Sequence, residues 1–205
     1  MENILKKFIV LEGLDGSGTT TQLKLLKQRF DDKKIDSFLT MEPTDGVIGK
    51  LIRDALRKKI AVDNRTLALL FTADRNEHIY GKDGVLEQLE KDKWIICDRY
   101  LFSSIAYQSL TCNRDWVIEI NNFPLPEYLF FIETSPQECQ KRMESRNEKE
   151  LFEDIKLQEN ILNNYDYGIN IFKKSKMKVF FINGEESPEI INENIWKILF
   201  PMPII

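Results

Sequence analysis

The sequence predicts an α/β fold in which helices cover a five-stranded parallel sheet. Five short apolar runs recur along the 205 residues, at positions 8–11, 37–41, 94–97, 128–132 and 178–182. Such runs are typical of strands that are buried on both faces of a parallel sheet. Helical patterns separate the runs, and this alternation of strand and helix indicates right-handed crossovers.

Helix-start signals mark the segments between these strands. Ser135 is predicted to cap a helix, because Pro136 follows at the first helical position and Glu138 stands where a capping box needs it. Ser187 begins a second Ser-Pro pair. Asp63 precedes the long pattern NRTLALLFTADRNEHIY and can cap it. The sequence therefore places helices directly after these three capping residues.

Length and composition predict one domain that spans residues 1–205. A chain of this size buries one good core, and no repeat, low-complexity tract or linker divides it. The formal net charge of −4 argues against a general binder of nucleic acid or of anionic membranes. The apolar runs are too short to span a bilayer, and the segment MENILKKFIV lacks the apolar stretch of a signal peptide. We therefore expect a cytoplasmic protein with no nucleic-acid or membrane partner.

Two scarce residue types limit the chemistry that the chain can perform. The three cysteines, Cys97, Cys112 and Cys139, lack paired spacing and are interpreted as buried reduced thiols. His78 is the only histidine, which nearly excludes a histidine metal site and serine–histidine catalysis.

The segment GLDGSGTT at residues 13–20 has the context of a phosphate-binding loop, because it follows a predicted strand and precedes an amphipathic helix. Its glycines let successive backbone amides turn toward one phosphate, and the helix N-terminus adds partial positive charge. The alternative is a glycine turn in which a threonine caps the helix. The first interpretation predicts that nucleotide phosphates are held by Gly13, Leu14, Asp15, Gly16, Ser17, Gly18, Thr19 and Thr20.

A magnesium site is predicted beside this loop. Thr20 occupies the position whose hydroxyl coordinates magnesium, and Asp98 ends a predicted strand where its carboxylate can hold the ion through water. A strand-end aspartate alone would be interpreted as a cap, but Arg99 follows it directly. Thr19 departs from the pattern, since such loops usually carry a lysine there.

A second group of residues is suited to an acceptor nucleotide. Phe71 and Arg75 are four apart and share a helix face, so the ring can stack on a base while the guanidinium bonds its edge. Phe71 alone is equally open to interpretation as a core residue, because its helix is apolar. Arg99 can bind a phosphate bidentately. Tyr107 lies one helical turn beyond Ser103 and presents its ring to the same cleft.

Taken together, these residues resemble the thymidylate kinase family of nucleoside-monophosphate kinases. The likeness runs through FIVLEGLDGSG, MEPTDGVIGKLIRDAL, LLFTADRNEH and FINGEESPE, and its most specific part is CDRYLFSSIAYQ. The resemblance implies a P-loop NTPase fold with a short helical lid near residues 140–153. It implies ATP as phosphoryl donor, Mg²⁺, and dTMP as acceptor in dTTP synthesis. It also implies a homodimer with the segment TLALLFTADRNEH at the contact.

The resemblance implies roles for single residues as well. Asp15 corresponds to the carboxylate near the deoxyribose hydroxyl, Phe71 to the ring that stacks on thymine, and Arg75 to the reader of its edge. Arg99 corresponds to the clamp on the acceptor phosphate, and Tyr107 to the ring that excludes a ribose 2′-hydroxyl. The further substrate-binding positions are Glu42, Ser104, Gln108 and Tyr165.

The resemblance also implies which side chains are catalytic. Members of this family carry a catalytic arginine either in the phosphate loop or in the lid, and residues 16–17 provide none here. Arginines of the lid would then supply the charge that Thr19 lacks, and a solvated charged hairpin is the alternative. Thr44 is a second departure, since many relatives have an arginine there. The implied catalytic residues are Asp15, Arg99, Arg142 and Arg146.

Two other functions stay open at this point. The same pocket could belong to a nucleotide-binding module without turnover, or to a kinase for another deoxynucleotide. An active kinase is favoured because phosphoryl transfer depends on positioning and charge stabilisation rather than on a protein nucleophile. The parts that such a site needs are retained in Gly13, Gly18, Thr20, Asp98 and Arg99.

Overall fold

The structure, a computed structural model, describes residues 3–144 and 155–201. Within these ranges, parallel strands form one five-stranded sheet with the order β2-β3-β1-β4-β5, so β1 lies at its centre. The strands are β1 (Ile4–Gly13), β2 (Ser37–Met41), β3 (Trp94–Asp98), β4 (Leu125–Glu133) and β5 (Lys178–Asn183). The predicted α/β class and the five predicted strands are confirmed.

Helices follow the strands and cover both faces of the sheet. Each crossover from one strand to the next contains at least one helix, as parallel pairing requires. The helices are α1 (Thr19–Asp32), α2 (Val47–Leu56), α3 (Asn64–Tyr80), α4 (Val85–Glu90), α5 (Leu101–Gln108), α6 (Arg114–Ile120), α7 (Pro136–Glu144), α8 (Ile155–Ile171) and α9 (Pro188–Leu199).

Alternate residues of the central strand fill two separate cores. Phe8 and Val10 of β1 pack in one cluster with apolar residues of α5 and α8. Ile9 and Leu11 pack on the opposite face with residues of α1 and α9. The period of two follows from strand geometry. Burying each such side chain contributes about 1.5–3 kcal/mol, which anchors β1 and the loop that leaves it.

The outer strands depart from the prediction that all five are buried on both faces. β2 and β5 each have one neighbouring strand, and most of their side chains are half-buried or exposed. Phe181 of β5, for example, is 51% exposed. Apolar pattern alone does not distinguish an edge strand from a central one.

Two of the predicted helix starts are confirmed, because the side chains of Asp63 and Ser187 accept hydrogen bonds from backbone amides of the first turn. The predicted capping box at Ser135 is half wrong. Its hydroxyl accepts from the Glu138 amide at 3.4 Å, but its own amide donates to Glu185 at 3.2 Å. Glu185 follows β5, so a tertiary contact has replaced the local one that the sequence predicted.

The lid stays a prediction, because most of residues 140–153, including Arg146, lie outside the described residues. The single-domain organisation also stays a prediction. The three cysteines are free thiols, as predicted, but Cys112 is half-buried rather than buried. No helix in the described part of the chain is long and apolar enough to cross a membrane.

Candidate active site

Predicted site residues gather at the carboxyl edge of the sheet, where β1, β2 and β3 end side by side. A cavity of about 530 Å³ opens there, a volume within the range of small-molecule sites. Nine of the predicted residues line it: Asp15, Glu42, Phe71, Arg75, Asp98, Arg99, Ser104, Tyr107 and Gln108.

The loop between β1 and α1 has the backbone of an anion site. Gly16 and Gly18 have φ angles of +88° and +103°, which glycine adopts without strain. A Cβ at Gly16 would lie 2.6 Å from the carbonyl oxygen of Cys139. Gly18 precedes α1 and no side chain caps the first turn, so the alternative of a threonine cap is wrong. The amides of this turn therefore suit a phosphate.

Arg142 reaches the same loop from α7. Its Nη1 donates to the carbonyl oxygen of Ser17 at 3.4 Å, and its Nη2 donates to that of Gly184 at 3.0 Å. Its Nε pairs with Glu138 at 3.0 Å. Arg142 thus ties the phosphate loop to the segment after β5. Thr19, in the lysine position, is buried.

Thr20 and Asp98, the two residues of the predicted magnesium site, are in contact. Thr20 Oγ1 donates to Asp98 Oδ2 at 2.6 Å. The other oxygen, Asp98 Oδ1, is buried with no hydrogen-bond partner among the described residues. The described chain holds no cluster of three or more His, Cys, Asp or Glu that could enclose a metal. A hydroxyl beside one such carboxylate fits Mg²⁺, which keeps waters and shares its coordination with phosphates.

Arg99 lies on the turn between β3 and α5, where its φ of +68° is unusual for a residue with a side chain. Its Nη2 pairs with Asp15 at 2.5 Å. Its Nη1 donates to the Gly13 carbonyl at 3.1 Å and to the hydroxyls of Ser103 and Tyr165, each at 3.2 Å. These partners hold the guanidinium in one orientation at the cavity.

Glu12 is a fully buried carboxylate that sequence reasoning did not single out. Its Oε1 accepts hydrogen bonds from the amides of Tyr100 and Ser103, at 2.8 and 3.1 Å. Its Oε2 accepts from the hydroxyls of Ser103 and Tyr165, at 2.6 and 2.9 Å. Burial raises the pKa of Glu12 to about 7, against the opposing effects of the Arg99 charge and of these hydrogen bonds. The one signal in the sequence was an acidic residue at the end of the apolar run FIVLE.

Arg75 is almost fully buried at the α3 side of the cavity. Its Nε donates to Glu42 Oε2 at 2.8 Å, and its Nη2 contacts the same oxygen at 2.6 Å and Ser104 Oγ at 3.0 Å. Its Nη1 donates to Asn121 Oδ1. Glu42 Oε1 meets His78 Nδ1 at 2.9 Å, so the only histidine supports this pair. The hydrogen bonds to Glu42, Asn121 and Ser104 use three of the five N–H donors of the guanidinium.

The remaining predicted residues lie on or behind the cavity wall. Phe71 is half-buried at the wall rather than in either core cluster, which favours the stacking interpretation over the core one. Tyr107 packs edge-on against Tyr165, with ring centroids 6.2 Å apart. Tyr165 is almost fully buried and contacts Arg99, so the structure places it behind Arg99 rather than over the cavity. Gln108 has a buried Oε1 with no partner among the described residues.

Comparison with known proteins points to one family. The profile of the family described as Thymidylate kinase matches residues 11–195. The chain belongs to the thymidylate kinase family. Among relatives whose names include thymidylate kinase, the Treponema pallidum (strain Nichols) protein is 40% identical over 200 residues, which cover 94% of each chain. The Pyrococcus abyssi protein is 39% identical over 196 residues, which cover 92% of this chain and 93% of the relative.

Two arginines that line the cavity of this thymidylate kinase family member were not predicted from the sequence. Arg53 and Arg57, four apart at the end of α2, both line the cavity. Arg53 donates to the Pro43 carbonyl at 2.8 Å and pairs with Asp45 at 3.2 Å. The signal was the spacing in IRDALR, which places both arginines on one helix face.

Thr44, the second departure from the resemblance to thymidylate kinases, has a structural partner. Its amide and its hydroxyl both donate to the carboxylate of Asp74, each at 2.7 Å. The residue therefore fastens the segment after β2 to α3, beside the cavity.

Proposed function

We propose that this protein transfers the γ-phosphoryl group of ATP to dTMP, giving ADP and dTDP for dTTP synthesis. The observation that carries the proposal is one cavity that is lined by Arg99, by Asp15 of the phosphate loop, and by Phe71 and Tyr107. Membership of the thymidylate kinase family supports the same reaction. Nothing in the described residues favours the alternative of a binding module without turnover.

In the proposed reaction, an oxygen of the dTMP phosphate attacks the γ-phosphorus of ATP. The bond from that phosphorus to the β–γ bridging oxygen breaks, and ADP leaves. The amides of residues 13–20 hold the ATP phosphates, while Arg99 binds the acceptor phosphate and Asp15 lies beside the sugar. Because the transferring group is anionic, positioning and positive charge supply the rate. Arg142 and Arg146 are the proposed sources of the charge that Thr19 lacks.

Magnesium is proposed to bind beside the loop. The Thr20 hydroxyl would coordinate the ion, and the unpartnered Asp98 Oδ1 would bind one of its waters. When bound, the ion neutralises charge on the ATP phosphates.

Selection of thymine is proposed to rest on Arg75 and Gln108. A guanidinium has only donors, and an N–H of Arg75 that makes no described hydrogen bond suits the O4 acceptor of thymine and not the amine of cytosine. Gln108 Oε1, which has no described partner, suits the N3–H of thymine. A base without a donor at that position would leave this buried acceptor unpaired, which is strongly unfavourable.

Arg53 and Arg57 are proposed to add positive charge near the acceptor phosphate. Both line the cavity that contains Arg99. Their charges offset the absence of arginine at Thr44.

A cytoplasmic homodimer is proposed as the working form. Val47 and Leu51 of α2 and Leu69 of α3 are large apolar side chains that are 85%, 41% and 49% exposed. Exposed apolar side chains on adjacent helices are suited to an interface, and a two-fold axis pairs one such surface with its copy.

A turnover assay with a panel of acceptors tests the proposed function. The protein is incubated with ATP, MgCl₂ and one of dTMP, dUMP, CMP, AMP or thymidine, and the nucleotides are separated by ion exchange. We expect ADP and dTDP in equal amounts and slower turnover of every other acceptor. Arg99→Ala should remove most of the activity. Equal turnover of CMP, AMP and dTMP would contradict the proposal that dTMP is the preferred acceptor. Binding of dTMP without formation of ADP would favour the binding module.

A further inference from the structure

We propose that Glu12 is the positioning residue of the Arg99 phosphate clamp. Glu12 lies one residue before the phosphate loop, is 0% exposed and is not among the residues that line the cavity. It therefore acts on the acceptor only through its neighbours. The inference rests on the proposed function, because it concerns how the acceptor phosphate is bound.

The first step of the argument is the backbone on the carboxyl-terminal side of Arg99. Glu12 Oε1 accepts the amide of Tyr100, the next residue, at 2.8 Å and the amide of Ser103 at 3.1 Å. Arg99 itself has a φ of +68°. A residue with a side chain is strained in this region and stays there only when its surroundings hold it. One carboxylate oxygen thus helps to fix the turn that carries the clamp.

The second step is a pair of hydroxyls that Glu12 and Arg99 share. Ser103 Oγ and Tyr165 Oη both contact Glu12 Oε2 and both accept from Arg99 Nη1. A hydroxyl has one proton, so donation to the carboxylate turns its lone pairs toward the guanidinium. The carboxylate therefore orients both hydroxyls as acceptors for Arg99.

A glutamine side chain in place of Glu12 would disrupt this pattern of hydrogen bonds. If its NH₂ group faced the hydroxyls, they would accept from it and turn their protons toward Arg99. If its NH₂ group faced the backbone N–H groups of Tyr100 and Ser103, hydrogen-bond donors would face each other and these two hydrogen bonds would be lost. Only a carboxylate can accept all four hydrogen bonds at once.

The third step is the cost of the arrangement. A carboxylate in a dry interior is unfavourable unless hydrogen bonds compensate it, and the pKa of Glu12 is raised to about 7 chiefly by burial. The groups that compensate it belong to the acceptor side of the site: the Arg99 charge, Ser103 and Tyr165. Because these partners of the buried Glu12 carboxylate surround Arg99, we assign to the carboxylate the role of positioning Arg99.

The test compares a nucleotide with its nucleoside. Calorimetry gives the Kd of dTMP, of thymidine and of ATP for the wild type and for Glu12→Gln. We expect dTMP to bind about tenfold more weakly or worse, because charge-assisted hydrogen bonds to its phosphate lose their geometry. Thymidine, which lacks the phosphate, and ATP should change by less than about twofold. Glu127→Gln, at the opposite end of the sheet on β4, is the control and should change none of the three.

Two further measurements decide the role. In an Arg99→Lys background, Glu12→Gln should add less than about twofold to the loss of dTMP affinity, since the two residues act as a unit. If Glu12→Gln does not fold, Ser103→Ala removes one shared hydroxyl and should weaken dTMP by about threefold with thymidine unchanged.

Equal losses of dTMP and thymidine affinity, no loss of either, or additive effects with Arg99→Lys would overturn the inference. A wild type that binds thymidine but neither binds nor phosphorylates dTMP would instead refute the proposed function.

Discussion

The cations of the cavity are held by protein partners before any ligand binds. Arg75 is fixed by Glu42, and Arg99 by Asp15 and two hydroxyls. Preorganised groups need little rearrangement when a ligand arrives, so less binding free energy is lost in ordering them. Substitutions of residues behind such groups should therefore change affinity without removing a ligand contact.

Tyr107→Ala should relax discrimination against ribose. Tyr107 is buried at the cavity and packs against Tyr165. A ring there excludes an added hydroxyl by contact, and its removal leaves room. We expect the ratio of kcat/KM for dTMP over its ribonucleotide to fall about tenfold. Tyr107→Phe keeps the ring and is the matched control. An unchanged ratio in Tyr107→Ala would show that this residue does not line the sugar.

The lid arginines should matter more for turnover than Thr19. Arg142→Ala or Arg146→Ala is expected to lower kcat by about 100-fold, the scale of an arginine finger. Thr19→Ala should cost less, because backbone amides still hold the phosphates. Lys141 is an exposed neighbour of Arg142 on α7, so Lys141→Ala is the control in the steady-state kinetics. If both lid variants kept wild-type kcat while Thr19→Ala abolished it, Thr19 would carry the role.

At the scale of elements, the sequence predicted what is encoded locally. Apolar runs located the strands, and the capping side chains of Asp63 and Ser187 located two helix starts. The partner of Ser135 was not predictable, because Glu185 comes from 50 positions further along the chain. The exposure of β2 and β5 likewise depends on strand order, which a run of apolar residues does not contain.

The same limit applies to the candidate site. Phe71, Arg75 and Arg99 were identified because their chemistry and spacing are suited to a nucleotide. Glu12 was not, since its hydrogen bonds come from Tyr100 and Tyr165, 88 and 153 positions away. The role of a buried carboxylate depends on such partners, and these come together only once β1, β3 and α8 have packed.

Gly168 allows α8 to approach α5, the helix that carries Ser104, Tyr107 and Gln108. A Cβ there would lie 2.9 Å from Cγ2 of Ile105, which is buried and close to its own backbone. Gly168→Ala should therefore lower the free energy of unfolding by about 1–3 kcal/mol, although alanine favours a helix by about 1 kcal/mol. Urea unfolding gives the result. The loss should disappear in an Ile105→Ala background, and a stabilised Gly168→Ala would show that the helices have room.

At the scale of the whole molecule, the proposed dimer predicts a difference between two apolar surfaces. Leu69 on α3 and Ile190 on α9 are equally exposed, at 49% and 51%. Leu69→Glu should yield monomers, because a charge buried at an interface is strongly unfavourable. Ile190→Glu, the matched control, should stay dimeric. Analytical ultracentrifugation distinguishes the two, and a monomeric wild type would contradict the dimer.

The burial of Glu12 also couples folding to proton uptake. Its pKa is 4.5 when the chain is unfolded and about 7 when it is folded. Between these values the folded chain holds a proton that the unfolded chain has released, so the contribution of Glu12 to stability falls as the pH rises. Above the folded pKa the full difference corresponds to about 3 kcal/mol.

Urea unfolding of the wild type and of Glu12→Gln at about pH 5 and about pH 8 measures this linkage. The stability of the wild type relative to Glu12→Gln should fall by up to about 3 kcal/mol over that interval, and an equal gap at both pH values would contradict it. Glu127 is the control, because its pKa is lowered: burial opposes the shift, but the Lys7 amide and Lys178 outweigh it. Its contribution is lost only in stronger acid, so Glu127→Gln should show a constant gap. The carboxylate that we propose to position Arg99 therefore stabilises the fold least above about pH 7, where it is fully charged.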